Sequence, residues 1–200
     1  MSPMPPVLIV ADMQNDICHQ DGVYNKHGLS NANVLKIIPN VVETIHFCKK
    51  MNIPVIATLL TALEDLNKNA IGLDSLKSLR PFLEKEGFRE DTWGHEPLEQ
   101  LPDINYKVRK WSISSFYHTE LTHYLKALEC EELVLTGFTT NGAVETLARE
   151  AVSRGYKITT LTDCVASYSE TLHQASLNNL GSFGKIITSK DWITQFELSM

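Results

Sequence analysis

The chain has 200 residues, a formal net charge of −6 and 43% apolar residues, enough for one domain with a sizeable core. The acidic balance and dispersed basic residues exclude a nucleic-acid or anionic-membrane footprint. No window approaches the roughly 18 apolar residues of a membrane span. Cys18, Cys48, Cys130 and Cys164 are widely spaced with no CxxC, which argues against a disulfide framework or zinc cluster and for a reduced, cytoplasmic setting.

Met1 to Pro6 lacks the basic and apolar regions of a secretory signal and reads as an extended lead-in. Val7–Ala11 follows, a continuous apolar run suited to a strand buried on both faces of a parallel sheet. Asp12-Met13-Gln14-Asn15-Asp16 comes at its carboxyl end, where Asp12 is either a general base or a turn-capping carboxylate. Apolar residues from Val34 to Met51 recur at helical intervals. Pro39 interrupts them, predicting a short turn and then a helix starting near Pro39. A second strand is expected over residues 54–60. Residues 61–103 have little periodicity, many charges and three prolines, as lids and binding loops do.

A third strand is expected over 105–109, followed by Lys110, which could stabilise a neighbouring anion or be an ordinary solvated lysine. A helix over 119–128 precedes the fourth strand, 133–137. A Gly/Thr-rich turn, Gly137-Phe138-Thr139-Thr140-Asn141-Gly142, then runs into a helix beginning near Ala143 and ending near Ser153. The first amides of a helix lack intrahelical partners and carry the positive end of its dipole, so such a turn suits an oxyanion as well as an ordinary cap. Strands over 157–161 and 185–188, with a helix over 169–180 between them, complete the pattern. Strand–helix alternation over one domain, residues 1–200, predicts a doubly wound α/β fold: a mostly parallel six-stranded sheet with helices on both faces. Ligands bind such sheets outside the carboxyl ends of the strands.

These segments, in this order, resemble the isochorismatase-like, or cysteine hydrolase, superfamily over nearly the whole chain. Asp12 in Val-Ala-Asp-Met-Gln-Asn-Asp matches its first-strand Asp. Lys110 and Phe116 match its K-x5-F segment. Thr-Gly-Phe-Thr-Thr-Asn-Gly-Ala-Val matches its nucleophile segment, which usually reads G-x-x-T-[DN]-x-C-V. Thr162-Asp163-Cys164-Val165-Ala166-Ser167 and His173 match the tail. The resemblance implies hydrolysis of a non-peptide C–N bond in a small amide or ureide. Asp12 would be the base, Lys110 its electrostatic partner, and the Thr139 and Ala143 amides the oxyanion donors, with a cis peptide at Phe138–Thr139. Gln14, Trp93, Phe116, Thr140 and Asn141 would line the substrate, with Trp93-Gly94 covering it. The resemblance also implies a homo-oligomer, dimer or tetramer.

The match departs at its centre, because Ala143 stands where the family has its nucleophilic cysteine. Three explanations stand open: a Cys-to-Ala replacement in an amidase, a thiol-free vinyl-ether hydrolase of the isochorismatase type in which Asp12 is a general acid, and a small-molecule-binding pseudoenzyme. The metal-binding branch has Asp-x-His after the second strand, whereas residues 57–66 hold no His. No metal or other cofactor is therefore expected, and His95 reads as a solvated loop residue.

Overall fold

Strand β1, Val7–Ala11, is buried along its whole length and forms the middle of the molecule. A computed structural model describes residues 6–199, with the backbone only at Asp74; the expected lead-in before residue 6 lies outside them. After β1 come α1 (Asn15–Cys18), α2 (Val23–Lys26), α3 (Ala32–Lys50) and β2 (Val55–Leu60). The expected irregular stretch contains a two-stranded antiparallel ladder of β3 (Leu63–Glu64) and β4 (Ala70–Ile71), then α4 (Asp74–Leu79) and a 3₁₀ turn, Pro81–Glu84. The remaining elements are β5 (Tyr106–Lys110), α5 (Leu121–Ala127), β6 (Glu132–Phe138), α6 (Glu145–Ser153), β7 (Lys157–Ala166), α7 (Glu170–Leu180), β8 (Lys185–Ile187) and α8 (Ser189–Leu198).

The main sheet has six parallel strands in the order β5-β2-β1-β6-β7-β8. The chain builds outward from β1 through β2 to β5, then returns to the other side of β1 with β6. The point where strand order reverses therefore lies between β1 and β6, where a crevice opens at the carboxyl ends. Alternate residues of β1 face opposite cores. Leu8 and Val10 pack with α3 and α8 residues such as Ile45 and Trp192; Val7 and Ile9 pack with Leu125 of α5 and Leu147 of α6. Both faces of the strand are covered by helices, which is why its sequence is apolar without alternation.

Three elements differ from expectation. Helix α3 does not restart at Pro39 but runs through it. Its buried stripe continues on both sides of the proline, through Val34, Ile37, Ile38, Val41 and Ile45, so tertiary burial outweighs one lost backbone bond. The last helix, α8, was not anticipated. Its signal is Thr188-x-x-Asp191: the Thr188 hydroxyl accepts the Asp191 amide and caps the helix. Strand β7 also runs five residues beyond its expected end at Leu161, past a register irregularity opposite β6.

Candidate active site

The crevice beside β1 and β6 is a cavity of about 250 Å³. Asp12, at the end of β1, sits in the left-handed region (φ 54°), which Asp tolerates better than most residues. Its backbone N–H donates to the Thr58 carbonyl (3.1 Å), and its Oδ1 accepts the Thr58 hydroxyl (3.1 Å). Lys110, the last residue of β5, reaches across β2 and places Nζ 2.8 Å from Asp12 Oδ2. The same Nζ donates to the Ile113 carbonyl (3.0 Å). Lys110 is 0% exposed and Asp12 4%, so this is a dry ion pair rather than the solvated lysine that was the alternative. Burial pushes the Asp12 carboxyl above the usual carboxylate range, against the opposing pull of the Lys110 charge and the hydrogen bonds from Lys110 and Thr58.

The other wall comes from β6. Gly137 (φ 120°) lies against β1 so closely that a Cβ would stand 2.1 Å from the Ala11 carbonyl oxygen, so only glycine fits. The next peptide, Phe138–Thr139, is cis. Residues Thr140–Val144 then form a π-helical turn rather than the first turn of an α-helix, and α6 starts at Glu145. The Thr139 carbonyl accepts both the Gly142 (3.2 Å) and Val144 (3.1 Å) amides. This turn brings Thr139, Asn141, Gly142 and Ala143 onto the same cavity as Asp12. Asn141 is steadied by the Ser167 hydroxyl, which donates to its Oδ1.

Four expected lining residues lie elsewhere. Gln14 is fully buried: its Nε2 donates to the Leu60 and His95 carbonyls (2.9 and 2.8 Å), and its Oε1 accepts the Leu60 amide (2.8 Å). Thr140 is buried and shares a 2.8 Å hydrogen bond with His173 Nδ1, which ties the π turn to α7. Phe116 packs in the core beneath the guanidinium of Arg154. Trp93 is 43% exposed, borders a separate depression beside Asp16, and donates from its indole nitrogen to Glu99, so it does not cover the cavity. His95 is another correction. It is buried rather than solvated, with Nε2 2.8 Å from the Thr61 hydroxyl.

For Gln14, Trp93 and His95 the displacement has a common cause. Residues 13–16 are the strip to which the long 88–99 loop is fastened. Leu98 N–H donates to the Met13 carbonyl, Asn15 Nδ2 to the Trp93 carbonyl, and the Phe88 and Val23 amides to the two Asp16 carboxylate oxygens. A Cβ on Gly94 would lie 2.3 Å from the Asp16 carboxyl, so this glycine is what lets the loop approach. In Asp-Met-Gln-Asn-Asp, therefore, Asp12 faces the cavity and the polar residues after it hold the loop. Apolar side chains and Tyr24, Arg80 and Tyr168 complete the cavity wall; none of these was expected, because α2, α4 and the segment after β7 reach it only through folding. Among the described residues, no three His, Cys, Asp or Glu side chains stand close enough together to hold a metal ion, and no helix is long and apolar enough to cross a membrane.

Comparison with known proteins agrees with this architecture. Nicotinamidase 3 of Arabidopsis thaliana is 29% identical over 177 residues, covering 88% of this chain and 80% of the relative. Ureidoacrylate amidohydrolase RutB of Methylobacterium radiotolerans is 26% identical, covering 92% of this chain and 76% of the relative. The crystal structure of a cysteine hydrolase from Pseudomonas syringae pv. phaseolicola has the same fold, with a TM-score of 0.85 at 21% identity over 100% of this chain and 96% of that one. Residues 6–191 match the model of the isochorismatase domain, and the chain belongs to that family of hydrolases.

Proposed function

We propose that the cavity is the substrate site of a hydrolase for a non-peptide C–N bond in a small amide or ureide. In this reading, Ala143 leaves the chain able to bind such a compound but without the atom that would attack it. The observation that carries the proposal is the buried Asp12–Lys110 pair opening on the same small cavity as Ala143 and its π turn. A buried ion pair is weak evidence for a purely stabilising role, because apolar residues of similar volume do as well or better. A carboxyl whose affinity for protons is set by burial and one lysine is instead the kind of group that catalysis requires.

With a thiol at 143, the chemistry follows. Asp12 takes the thiol proton, and Lys110 balances the charge on Asp12. The thiolate attacks the carbonyl carbon, while the Thr139 and Ala143 amides receive the developing oxyanion. The C–N bond breaks as Asp12 returns the proton to the leaving nitrogen, and water then hydrolyses the thioester. Alanine supplies no electron pair for the first step. The amidohydrolase names of the relatives support the substrate class. A homo-oligomer, dimer or tetramer, belongs to the same reading and is measurable by sedimentation.

The test is ammonia release by the chain as it stands and by Ala143→Cys, over a panel of small amides and ureides. Turnover by the Cys variant alone supports the reading; equal turnover by both refutes the thiol mechanism. The raised Asp12 carboxyl favours one second reading, a thiol-free vinyl-ether hydrolase in which Asp12 protonates the substrate. Consumption of isochorismate by the unaltered chain, abolished by Asp12→Asn, would establish that reading instead.

A further inference from the structure

The Lys110 ammonium has two acceptors, Asp12 Oδ2 (2.8 Å) and the Ile113 carbonyl (3.0 Å). The first stands at the end of a central strand. The second lies in residues 111–114, which belong to no helix or strand. On one side of Ile113, the Trp111 carbonyl accepts the Leu73 amide (2.8 Å). On the other, the Ser114 hydroxyl donates to the Glu150 carboxylate, 2.8 Å from each oxygen, and accepts the Phe116 (3.2 Å) and Tyr117 (2.8 Å) amides. A hydroxyl has one donor and two lone pairs, so Ser114 is fully engaged. Glu150 lies on α6, the helix that continues directly from the π turn carrying Ala143. Arg154, just past the end of α6, adds a second fastening: its guanidinium sits 4.3 Å from the Phe116 ring centroid, with Nη2 4.0 Å from Glu150 Oε1.

The two walls of the cavity therefore meet at Glu150, which does not itself line it. Through α6 this carboxylate is joined to the turn that presents position 143. Through Ser114 it fixes the loop whose carbonyl takes Lys110. An ammonium is a point charge on a flexible stem, so its acceptors set where it points, and a buried one has no water as an alternative partner. We infer that Glu150 is a positioning residue: acting through the Ser114 hydroxyl and the Ile113 carbonyl, it holds Lys110 against Asp12 and in register with position 143. This rests on the reading of Asp12, Lys110 and position 143 as the reacting groups. It also gives Phe116 a part remote from the substrate, as the ring by which the loop after Lys110 is fastened to α6.

The experiment compares Glu150→Ala, Glu150→Gln and Ser114→Ala, with thermal melting to check that each folds; should Glu150→Ala unfold, Ser114→Ala carries the same test. The first readout needs no turnover. Lys110 is the one buried lysine among the described residues, so its ammonium hydrogens exchange slowly with water and give an NMR signal that Lys110→Met identifies by its loss. Glu150→Ala and Ser114→Ala should each shift or broaden that signal, and the two together should do no more than either alone, because they break one chain of contacts. Glu150→Gln, which keeps an acceptor for the Ser114 hydroxyl, should restore it. The second readout is kinetic, in the Ala143→Cys background. Glu150→Ala should lower kcat about tenfold or more with KM little changed, since a misplacement of about 1 Å can cost about a hundredfold. An unchanged Lys110 signal in Glu150→Ala, a Gln variant that behaves like the Ala variant, additive effects at the two sites or an unchanged kcat overturns the inference. No turnover of any amide or ureide by Ala143→Cys, with a Lys110 signal that depends on Glu150, refutes the hydrolase reading and leaves the positioning of Lys110 standing. Full turnover by Ala143→Cys with Glu150→Ala does the reverse.

Discussion

Replacing Lys110 by Met tests the ion pair directly. Met keeps most of the length of the side chain and removes its charge, so the core loses little packing. Asp12 then keeps only the Thr58 hydroxyl as a side-chain partner in a site where it is 4% exposed. Breaking a buried pair from one side costs about 3–5 kcal/mol because the remaining charge is uncompensated. For a protein of this size that is a fall of about 6–20 °C in Tm. The cost depends on pH with a definite sign. Without Lys110, the folded-state pKa of Asp12 rises further above the unfolded value of about 3.9. The unfolded chain then ionises first, so the penalty grows as pH rises from about 4 through the folded-state pKa and shrinks again on acidification. Urea unfolding followed by circular dichroism at pH 7 and pH 5 should show a smaller loss at pH 5. Adding Asp12→Asn should recover most of the loss at pH 7, since no buried charge remains. A single variant that costs less than about 1 kcal/mol at pH 7, or the same at both pH values, would refute the description of the pair as dry and coupled.

Gly137→Ala should cost about 3 kcal/mol or more, at the upper end of overpacking, because its Cβ meets the backbone of Ala11 rather than a movable side chain; an unchanged urea midpoint would contradict that contact. Burial pushes the Cys48 and Cys164 thiols up to about 12, the half-buried Cys130 up to about 11 and Cys18 higher still. In a thiol-reagent time course at pH 8, Cys130 should react first and the rest only on unfolding, while Ala143→Cys should add one fast thiol; a fast native Cys18 would be the contrary result. Burial lowers the His95 pKa, so its folded form stays neutral while the unfolded chain takes up a proton below about pH 6.5. Its contribution therefore falls on acidification through that range, and His95→Gln should flatten that part of the stability–pH curve; an unaltered slope assigns the effect to other groups.

The strands and their order along the chain were legible from the sequence, while the Asp12–Lys110 partnership was implied only by the family resemblance, since position alone left Asp12 open as a turn cap and Lys110 as a solvated lysine. A strand buried on both faces must be continuously apolar, which picks out Val7–Ala11 and the fourth strand. Asp12 stands out as a charge directly after such a strand, whereas Lys110 ends an edge strand, Tyr-Lys-Val-Arg-Lys, that carries exposed charges of its own. The Gly/Thr-rich turn at 137–142 was legible for the same reason, as a break directly after a buried run. The partners of these residues were not legible. Gln14, Asn15 and Asp16 have the composition of a ligand-binding loop, and only the path of residues 88–99 shows that their polar atoms are consumed by backbone groups of that loop. Whether Pro39 ends a helix was decided by the buried stripe on either side of it. Arg80, Tyr24 and Tyr168 come from three segments with no shared motif, and parallel crossovers bring them to one cavity. Local periodicity reports which face of an element is buried; which elements meet, and so which polar groups are left for a ligand, is set by packing between residues far apart in the chain.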